Sequence, residues 1–163
     1  MAKQTVFVNE FTDGILDPNK PNFKNIRHNP ADENSLISDY ISSFCEDRRH
    51  RLWIGTDGGG LSIYDEDDGK YTNYTYQQGQ PNGLSSNFIM NICEDHNGNI
   101  WLGTWGGGIN RYNPVKKGFD HYKCIGGQGE EKNVFALYED HANNLWAGSV
   151  GGGLFRYNAS SDQ

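Results

Sequence analysis

The sequence predicts an all-β protein built from a repeated unit, and two observations carry this prediction. The same segment occurs three times, at Glu46–Tyr64, Glu94–Tyr112 and Glu139–Tyr157. In each copy Glu-Asp is followed, at matching positions, by Trp, by three consecutive glycines and by Tyr. Aromatic residues make up 13% of the chain and glycine contributes 21 residues, a composition typical of short strands joined by tight turns. No part of the sequence shows the apolar periodicity of a helix.

The length of the repeat indicates the architecture. Trp53, Trp101 and Trp146 are 48 and 45 residues apart. Four short antiparallel strands in a unit of this length are typical of a β-propeller blade. The four candidate strands of the middle copy are Phe88–Cys93, Ile100–Thr104, Ile109–Tyr112 and Phe119–Tyr122.

The first of these strands, Phe88–Cys93, carries apolar residues on both alternating faces. This pattern predicts a strand that is buried on both faces. The following residues, 95–99, read Asp-His-Asn-Gly-Asn, which predicts a hairpin turn with a positive φ at Gly98.

The residues that recur in every copy are expected to build the scaffold. A tryptophan on the second strand and a tyrosine on the third can fill the wedge between twisted neighbouring sheets. Glycine permits a sharp turn and a close backbone approach, and Glu-Asp can accept hydrogen bonds from turn amides. The scaffold set comprises Trp53, Trp101, Trp146, Tyr64, Tyr112, Tyr157, Gly58, Gly59, Gly60, Gly106, Gly107, Gly108, Gly151, Gly152 and Gly153.

The repeat divides residues 1–163, read as one β-propeller segment, into four parts. Residues 1–34 are a degenerate partial blade, because a shift of 48 positions places Phe23–Ile26 on Tyr71–Tyr74, whereas the tryptophan and the triple glycine are missing. This partial blade is expected to supply a second, a third and a fourth strand, the first two at Thr5–Asn9 and Gly14–Leu16. The remaining parts are a blade at 35–82, a blade at 83–129 and a blade without its outer strand at 130–163.

Three blades and a partial one do not make a closed ring, since propellers typically have four to eight blades. Open sheet faces and strand edges favour association with other chains. The segment is therefore either a piece of a larger propeller or part of a homo-oligomer that completes the propeller. In the second arrangement an N-terminal strand of one chain completes the last blade of another.

Composition argues against several functions. The net charge of −7 disfavours nucleic acid as a partner, because phosphate binding needs a basic face. No run of 18 apolar residues is present, so this segment is expected to make no direct membrane contact. Cys45 and Cys93 occupy the same position of neighbouring units, which is usually too far apart for a disulfide. We expect both to be small buried apolar side chains, and Cys124 has no obvious partner.

The repeated residues resemble the two-component regulator propeller repeat. The strongest matches are residues 97–104, which read N-G-N-I-W-L-G-T and precede the triple glycine, and residues 52–61, which read L-W-I-G-T-D-G-G-G-L. The third copy departs from the pattern at Ala147 and Ser149. The resemblance implies the extracytoplasmic sensor region of a hybrid histidine kinase of the kind found in gut Bacteroidetes.

This resemblance implies a non-catalytic, ligand-sensing role in a two-component system, with an oligosaccharide or a similar small molecule as the ligand. Any kinase activity would lie in domains outside this segment, and no cofactor is expected. A periplasmic location follows from the resemblance, while the lack of a signal-peptide pattern leaves a cytoplasmic location as the alternative. Two other functions stay open: a fragment of a polysaccharide-active lyase or hydrolase, and a protein-interaction propeller.

Candidate ligand-binding residues are those that vary within the repeated frame. The loop between the second and third strands is expected to share one face with the loop that leads into the first strand. Trp105 is the foremost candidate, because a partly exposed indole can stack on a sugar ring, and Arg111 could pair with a carboxylate or sulfate. The complete set is Trp105, Asp57, Asn110, Arg111, Asn87 and Asp39.

No catalytic residue and no metal ligand are predicted. The Glu-Asp pairs recur in every copy and are therefore poor candidates for a unique catalytic pair. The histidines lack metalloprotease spacing, and those in the hairpin turns, His50, His96 and His141, are expected to be solvated. Residues 95–99 resemble the start of a calcium-binding loop, but the glycine comes too early.

Overall fold

The computed structural model of the chain describes residues 23–127 and 129–159. Within these ranges the chain forms thirteen β-strands and no helix. The first blade contains β1 (Ile41–Glu46), β2 (Arg51–Thr56), β3 (Leu61–Asp65) and β4 (Lys70–Tyr74). The second blade contains β5 (Ile89–Glu94), β6 (Ile100–Thr104), β7 (Gly108–Asn113) and β8 (Gly118–Tyr122).

A short ribbon connects the second blade to the third. It consists of β9 (Cys124–Gly126) and β10 (Gly129–Glu131). The third blade contains β11 (Val134–Glu139), β12 (Leu145–Ser149) and β13 (Gly153–Arg156). Every blade is an antiparallel sheet whose strands pair in chain order, which confirms the predicted all-β propeller segment. In the described ranges no helix is long and apolar enough to cross a membrane.

The first strand of each blade contains a β-bulge that the sequence did not indicate. The register shifts between Ile89 and Asn91 in β5, and at the matching positions of β1 and β11. A bulge re-aims the side chains on either side of it. Ile89 and Ile92 are consequently buried, whereas Phe88 is 44% exposed. The prediction that Phe88–Cys93 is buried on both faces is therefore wrong at Phe88.

The apolar core lies between the blades, and two of the repeated tryptophans, Trp53 and Trp101, lie in it. Trp53 and Trp101 are 0% and 1% exposed. The Trp53 ring contacts Tyr112 of the second blade with the ring centroids 4.9 Å apart. Trp101 contacts Tyr157 of the third blade at the same separation. Trp53 and Trp101 thus fill the wedge in front of the next blade, as the repeat predicted, whereas Trp146 of the third blade is partly exposed.

The repeated aspartate connects each hairpin turn to this core. In the second blade Asp95 Oδ1 accepts hydrogen bonds from the backbone N–H groups of Asn97 and Asn99, both at 2.9 Å. Asp95 Oδ2 accepts a hydrogen bond of 2.8 Å from the Trp101 indole N–H. The same indole bond, also at 2.8 Å, links Asp47 to Trp53 and Asp140 to Trp146. The turn contacts were predicted, whereas the bond to the indole was not.

The repeated glutamate connects one blade to the turn of the blade before it. Glu139 accepts hydrogen bonds from the backbone N–H of His96 at 2.7 Å and from its ring at 2.6 Å. Glu94 accepts one from the backbone N–H of Arg48 at 3.3 Å. His96 is therefore held between two blades, which corrects the expectation that it is simply solvated. His50 pairs with Glu46 of its own turn at 2.8 Å.

The triple glycine is required by geometry at each of its positions. Gly106 and Gly108 have φ angles of 81° and 72°, in the left-handed region that strains other residues. A Cβ on Gly107 would collide with the Ser85 side chain and with Thr104. All three positions of the motif therefore exclude a side chain for local reasons.

The N-terminal part of the chain differs from the expected partial blade where the structure describes it. Phe23–Ile26 contains no strand, so the fourth strand predicted there is absent. The strands predicted at 5–9 and 14–16 lie outside the described residues. All three cysteines are free; Cys124 is buried, whereas Cys45 and Cys93 are half-buried at the margins of the core.

Replacing Asp95 with Ala is expected to lower the free energy of unfolding by roughly 2–3 kcal/mol. The change leaves the buried Trp101 indole N–H without its acceptor and removes a charged acceptor from two turn amides. Chemical denaturation followed by tryptophan fluorescence measures the loss. Asp67→Ala, in the exposed turn between β3 and β4, is the matched control and should change the stability by less than about 0.5 kcal/mol.

The same carboxylates make the fold sensitive to acid. Burial raises the pKa of Asp95, but hydrogen bonds from Trp101, Asn99 and the turn amides outweigh it and hold the pKa below the ordinary value of 3.8. The pKa of Asp47 is lowered by the same balance. A carboxyl whose folded pKa is depressed stabilises the fold above its unfolded pKa, and this contribution is lost as the pH falls through the folded pKa.

We therefore expect the free energy of unfolding to fall steadily as the pH is lowered below about 4. The Asp95→Asn variant, which cannot titrate at this position, should be less stable than the parent at pH 7 and show a flatter decline in acid. Denaturation curves at a series of pH values measure both slopes. Identical slopes for parent and variant would contradict the role assigned to Asp95.

Candidate functional site

The loops that join the second and third strands of each blade lie at one edge of the propeller, together with the residues that precede each first strand. One backbone hydrogen bond connects the two kinds of segment in every blade. Asp57 N–H donates to Tyr40 O at 2.8 Å and Trp105 N–H donates to Phe88 O at 3.0 Å. Val150 N–H donates in the same way to Asn133 O at 3.1 Å. We call this edge the loop face. The two kinds of loop share it, as the sequence predicted.

Further backbone bonds join the loop face across the blade boundaries. Gly60 of the first blade donates to Asn87 O, in front of the second blade, at 2.9 Å. Gly108 of the second blade donates to Lys132 O, in front of the third, at 2.9 Å. The loops are thus held by contacts that do not depend on the identity of their side chains.

Exposed aromatic residues collect on this face. Trp105 is 45% exposed and Phe135, on the first strand of the next blade, is 42% exposed. Their rings meet edge to face, with centroids 5.4 Å apart and an interplanar angle of 87°. Phe88 lies beside Trp105 through the backbone bond described above, and Tyr40 is 74% exposed. We call Tyr40, Phe88, Trp105 and Phe135 the aromatic strip.

Trp105 both packs on the neighbouring blade and remains partly exposed. It contacts the neighbouring blade through Phe135, and almost half of its surface stays accessible to solvent. Asp57 is also exposed on the loop face. Both residues lie where the sequence placed them, and their contact with a ligand stays a prediction.

Asn110 does not lie on an accessible surface. It is 0% exposed, its side-chain oxygen accepts a hydrogen bond from Ser85 N–H at 3.0 Å, and its side-chain nitrogen donates to Ser85 Oγ at 2.6 Å. A buried amide must find such partners, because an unpaired one is costly. The prediction that Asn110 contacts a ligand is corrected: it fastens the loop before β5 to β7.

Arg111 is likewise occupied by packing. Its guanidinium lies 5.4 Å from the centre of the Trp101 ring and 5.0 Å from that of Tyr122. It also lies 3.5 Å from the carboxylate of Asp120. Arg111 therefore supports the middle of β7 between the second and third blades, which corrects its assignment to the ligand site.

Asn87 and Asp39 have a common structural role that the sequence did not reveal. Asn87 Oδ1 accepts a hydrogen bond of 2.6 Å from Tyr76 N–H. Asp39 Oδ1 accepts the equivalent bond, also 2.6 Å, from His28 N–H, and its other oxygen lies 2.8 Å from Arg27. Both side chains hold the incoming backbone, and their contact with a ligand stays a prediction.

Three members of the aromatic strip were missed at the sequence level. Phe88 and Phe135 occupy a predicted strand of alternating apolar residues, a pattern that normally indicates burial. The bulge in each first strand overrides this pattern. Tyr40 directly precedes β1, and its position matches that of Phe88 in the repeat, which is the one signal that could have found it.

The chemistry of the loop face is that of a binding surface. The strip offers flat apolar rings, and Asp57 offers a carboxylate that can accept hydrogen bonds from hydroxyl groups. The repeated aspartates are engaged by their own turns and indoles. In the described part of the chain, no three His, Cys, Asp or Glu side chains are grouped so that they could hold a metal ion.

Comparison with known proteins gives a match to one protein family. Residues 35–58, 83–106 and 128–151 each match the family described as two component regulator propeller. Each match runs from the loop before a first strand into the loop between the second and third strands. A comparison with curated proteins gives no match.

Solved structures that are similar to this chain include extracellular domains of two component systems. The extracellular domain of a putative hybrid two component system from B. thetaiotaomicron has 25% sequence identity and a TM-score of 0.68, over 85% of this chain and 18% of that chain. A second such domain from the same organism has 26% identity and a TM-score of 0.64, over 74% of this chain and 17% of its own. The chain therefore spans less than a fifth of these proteins.

Virginiamycin B lyase from Staphylococcus aureus is similar with a TM-score of 0.57 over 74% of this chain and 39% of the lyase. Its sequence identity is 16%, so this likeness concerns the fold alone.

The contact between Trp105 and Phe135 is expected to couple the second and third blades by about 0.5–1.5 kcal/mol, the range of an edge-to-face ring pair. A double-mutant cycle of Trp105→Ala and Phe135→Ala, measured by chemical denaturation, gives this coupling energy. A cycle that pairs Trp105→Ala with Val115→Ala, in the turn at the opposite edge, should give a coupling near zero. Equal couplings in the two cycles would contradict a specific ring contact.

Proposed function

We propose that this chain, which carries three two component regulator propeller repeats, belongs to the extracellular sensing region of a hybrid two-component system and binds an oligosaccharide on its loop face. The observation that carries the proposal is the half-exposed Trp105, paired with Phe135 across a blade boundary. The similarity to two extracellular domains of hybrid systems supports the location outside the cytoplasm, in the periplasm.

The aromatic strip suits a carbohydrate for a physical reason. A sugar ring has a face of C–H groups that packs on an aromatic ring, and hydroxyl groups at its rim that need polar partners. Trp105 supplies such a ring at low entropic cost, because a tryptophan has few rotamers to lose. Asp57, which lies beside the Tyr40 end of the strip, supplies a hydrogen-bond acceptor. An elongated chain of sugars fits a row of rings better than a single small molecule does.

The arrangement also suggests how binding could be sensed. Trp105 belongs to the second blade and Phe135 to the third, so a ligand that stacks on both rings favours one relative placement of the two blades. A ligand shifts a conformational equilibrium only by its difference in affinity for the two states. Contacts that bridge a blade boundary give the ligand different affinities for two placements of the blades. Contacts within one blade do not.

The role we propose is non-catalytic. Glycosidases need two carboxyl groups facing each other across the scissile bond. The repeated aspartates instead accept hydrogen bonds from their turns and tryptophans, and Glu139 and Glu94 accept bonds from the preceding turns. These carboxylates serve the scaffold. Of the two acidic candidates on the loop face, Asp39 is bonded to His28 and Arg27, whereas the Asp57 carboxylate has no hydrogen-bond partner among the described residues.

A titration with a panel of neutral and acidic oligosaccharides, followed by tryptophan fluorescence and calorimetry, tests the proposal. The parent chain should bind at least one member of the panel. Trp105→Ala should weaken that binding roughly tenfold, which corresponds to about 1.4 kcal/mol of lost stacking. The variant should keep the far-ultraviolet circular dichroism of the parent, because Trp105 lies outside the core.

Val115→Ala, at the opposite edge of the second blade, is the control and should bind as the parent does. Equal affinity of the Trp105→Ala variant and the parent would remove Trp105 from the site. Binding that survives in Trp105→Ala, Phe135→Ala and their double variant would overturn the assignment of the loop face as a whole.

A further inference from the structure

The two edges of the propeller segment differ in charge. Opposite the loop face lies the turn edge, which consists of the turns at residues 46–51, 65–70, 94–99, 113–118 and 139–144. These turns contain sixteen Asp, Glu, Lys and Arg residues. The loop face is built from residues 35–40, 57–60, 83–88, 105–108, 129–133 and 150–153, which contain five: Asp39, Asp57, Glu130, Glu131 and Lys132. The contribution of the second blade to this face, around Trp105, carries no charged residue.

Most of the charges on the loop face are compensated. The Asp39 carboxylate lies 2.8 Å from the Arg27 guanidinium, and the Glu130 carboxylate lies 3.5 Å from the Lys123 ammonium. The glutamate and the lysine at positions 131 and 132 follow one another in the chain with opposite charges. Asp57 remains, because its exposed carboxylate has no partner among the described residues. The charge that this face presents to a ligand is therefore negative and is concentrated at Asp57.

Asp57 stands within the aromatic strip. Its N–H donates to Tyr40 O at 2.8 Å, and it forms an isolated antiparallel β-bridge with Phe88. The Phe88 ring lies against the next residue, Gly58, where an added Cβ would be 3.3 Å from the ring. A sugar that stacks on Phe88 therefore has the hydroxyl groups of its rim close to the Asp57 carboxylate.

The glycine-rich loops do not offer an anion site. Sulfate and carboxylate groups are usually bound by Arg, by Lys or by free backbone N–H groups in loops of this kind. Here Gly58 N–H and Gly60 N–H both donate to Asn87 O, at 3.2 and 2.9 Å. In the second blade the N–H groups at positions 106 and 108 are bonded in the same way, both at 2.9 Å, to the residues before β11. These donors are therefore closed to an acidic ligand.

We propose that the loop face is selective for uncharged oligosaccharides and that Asp57 is the residue that excludes acidic ones. This inference rests on the proposed function and goes beyond it by naming the class of sugar. The Asp57 carboxylate accepts hydrogen bonds from hydroxyl groups. It repels a sulfate or a carboxylate, which would also lose hydration without gaining a cation. Specificity depends on features that disfavour the wrong ligand as well as on contacts with the right one.

Oligosaccharides that differ only in charge test the selectivity. Two such pairs are added to the panel described above: tetragalacturonic acid with its methyl ester, and a sulfated with an unsulfated dextran oligosaccharide. In calorimetry at low ionic strength, the parent chain should bind the neutral member of at least one pair roughly tenfold more tightly than the acidic member. The difference should shrink in about 0.5 M salt, because exposed charges are screened.

The Asp57→Asn variant assigns the selectivity to one residue. It keeps an acceptor oxygen and removes the charge, so the ratio of the two affinities should fall to roughly twofold, mainly because the acidic member binds more tightly. Asp67→Asn, in the β3–β4 turn, is the matched control. It changes the net charge by the same amount at the turn edge and should leave the ratio as in the parent.

The outcomes separate this inference from the proposed function. If the parent binds the acidic member as tightly as the neutral one, the selectivity is overturned and the proposed function stands. A ratio that is the same in Asp57→Asn and the parent would overturn the role of Asp57. Failure of every neutral and acidic member of the panel to bind would overturn the proposed function and this inference with it.

The electrostatic effect can also be measured without a ligand. Asp57 and Trp105 both pair with Phe88 through the backbone. The difference in fluorescence between the parent and Trp105→Phe gives the quenching of this one indole by small ions. Caesium should quench it more than iodide does, and Asp57→Asn should raise the iodide quenching constant roughly 1.5-fold. Asp67→Asn should leave that constant unchanged, and equal changes in the two variants would contradict a local effect of Asp57.

Discussion

In each blade the tryptophan indole N–H donates a hydrogen bond to the aspartate of the hairpin turn. In the first two blades this bond fixes the side chain that packs between one sheet and the next. Neither group is stable in the interior alone, because an unpaired carboxylate and an unpaired N–H both lose their hydration on burial. Together they allow Trp101 to lie at 1% exposure against Tyr157 of the next blade. The hairpin turn, the second strand and the blade interface thus depend on the aspartate–indole hydrogen bond. A substitution that disrupts the turn therefore also disturbs the tryptophan in the core.

Much of the fold could be predicted because its determinants are local and are repeated. Comparison of the copies separated scaffold from variable positions, and β6 begins and ends at the residues that the pattern indicated, Ile100 and Thr104. The bulge at Ile89 could not be predicted, since it depends on how β5 pairs with β6 and not on the composition of the strand. Phe88, directly before this irregularity, is 44% exposed. At the N-terminal end, similarity to β4 did not suffice, because Phe23–Ile26 forms no strand.

The candidate site was harder to predict than the fold, for a reason that Asn110 illustrates. Variation between copies was taken as a sign of ligand contact, yet a buried position also varies when its partner varies with it. Asn110 is paired with Ser85, whereas Ser62 at the same position of the first blade accepts a hydrogen bond from Ile37 N–H. Trp105 and Asp57, by contrast, vary and are exposed as well. The loop face keeps its shape through backbone hydrogen bonds, so its side chains are free to differ.

The glutamate contacts between blades all point in one direction along the chain, from each blade back to the turn of the blade before it. The glutamate of the second or third blade therefore binds the turn of the blade before it, and the turn of the first or second blade is bound by the glutamate of the blade that follows. An additional unit of 45 to 48 residues, inserted by duplication of its coding segment, would meet a compatible neighbour on either side without any change elsewhere. The number of blades in such proteins is then open to genetic gain and loss, limited by closure of the circle and not by the interfaces.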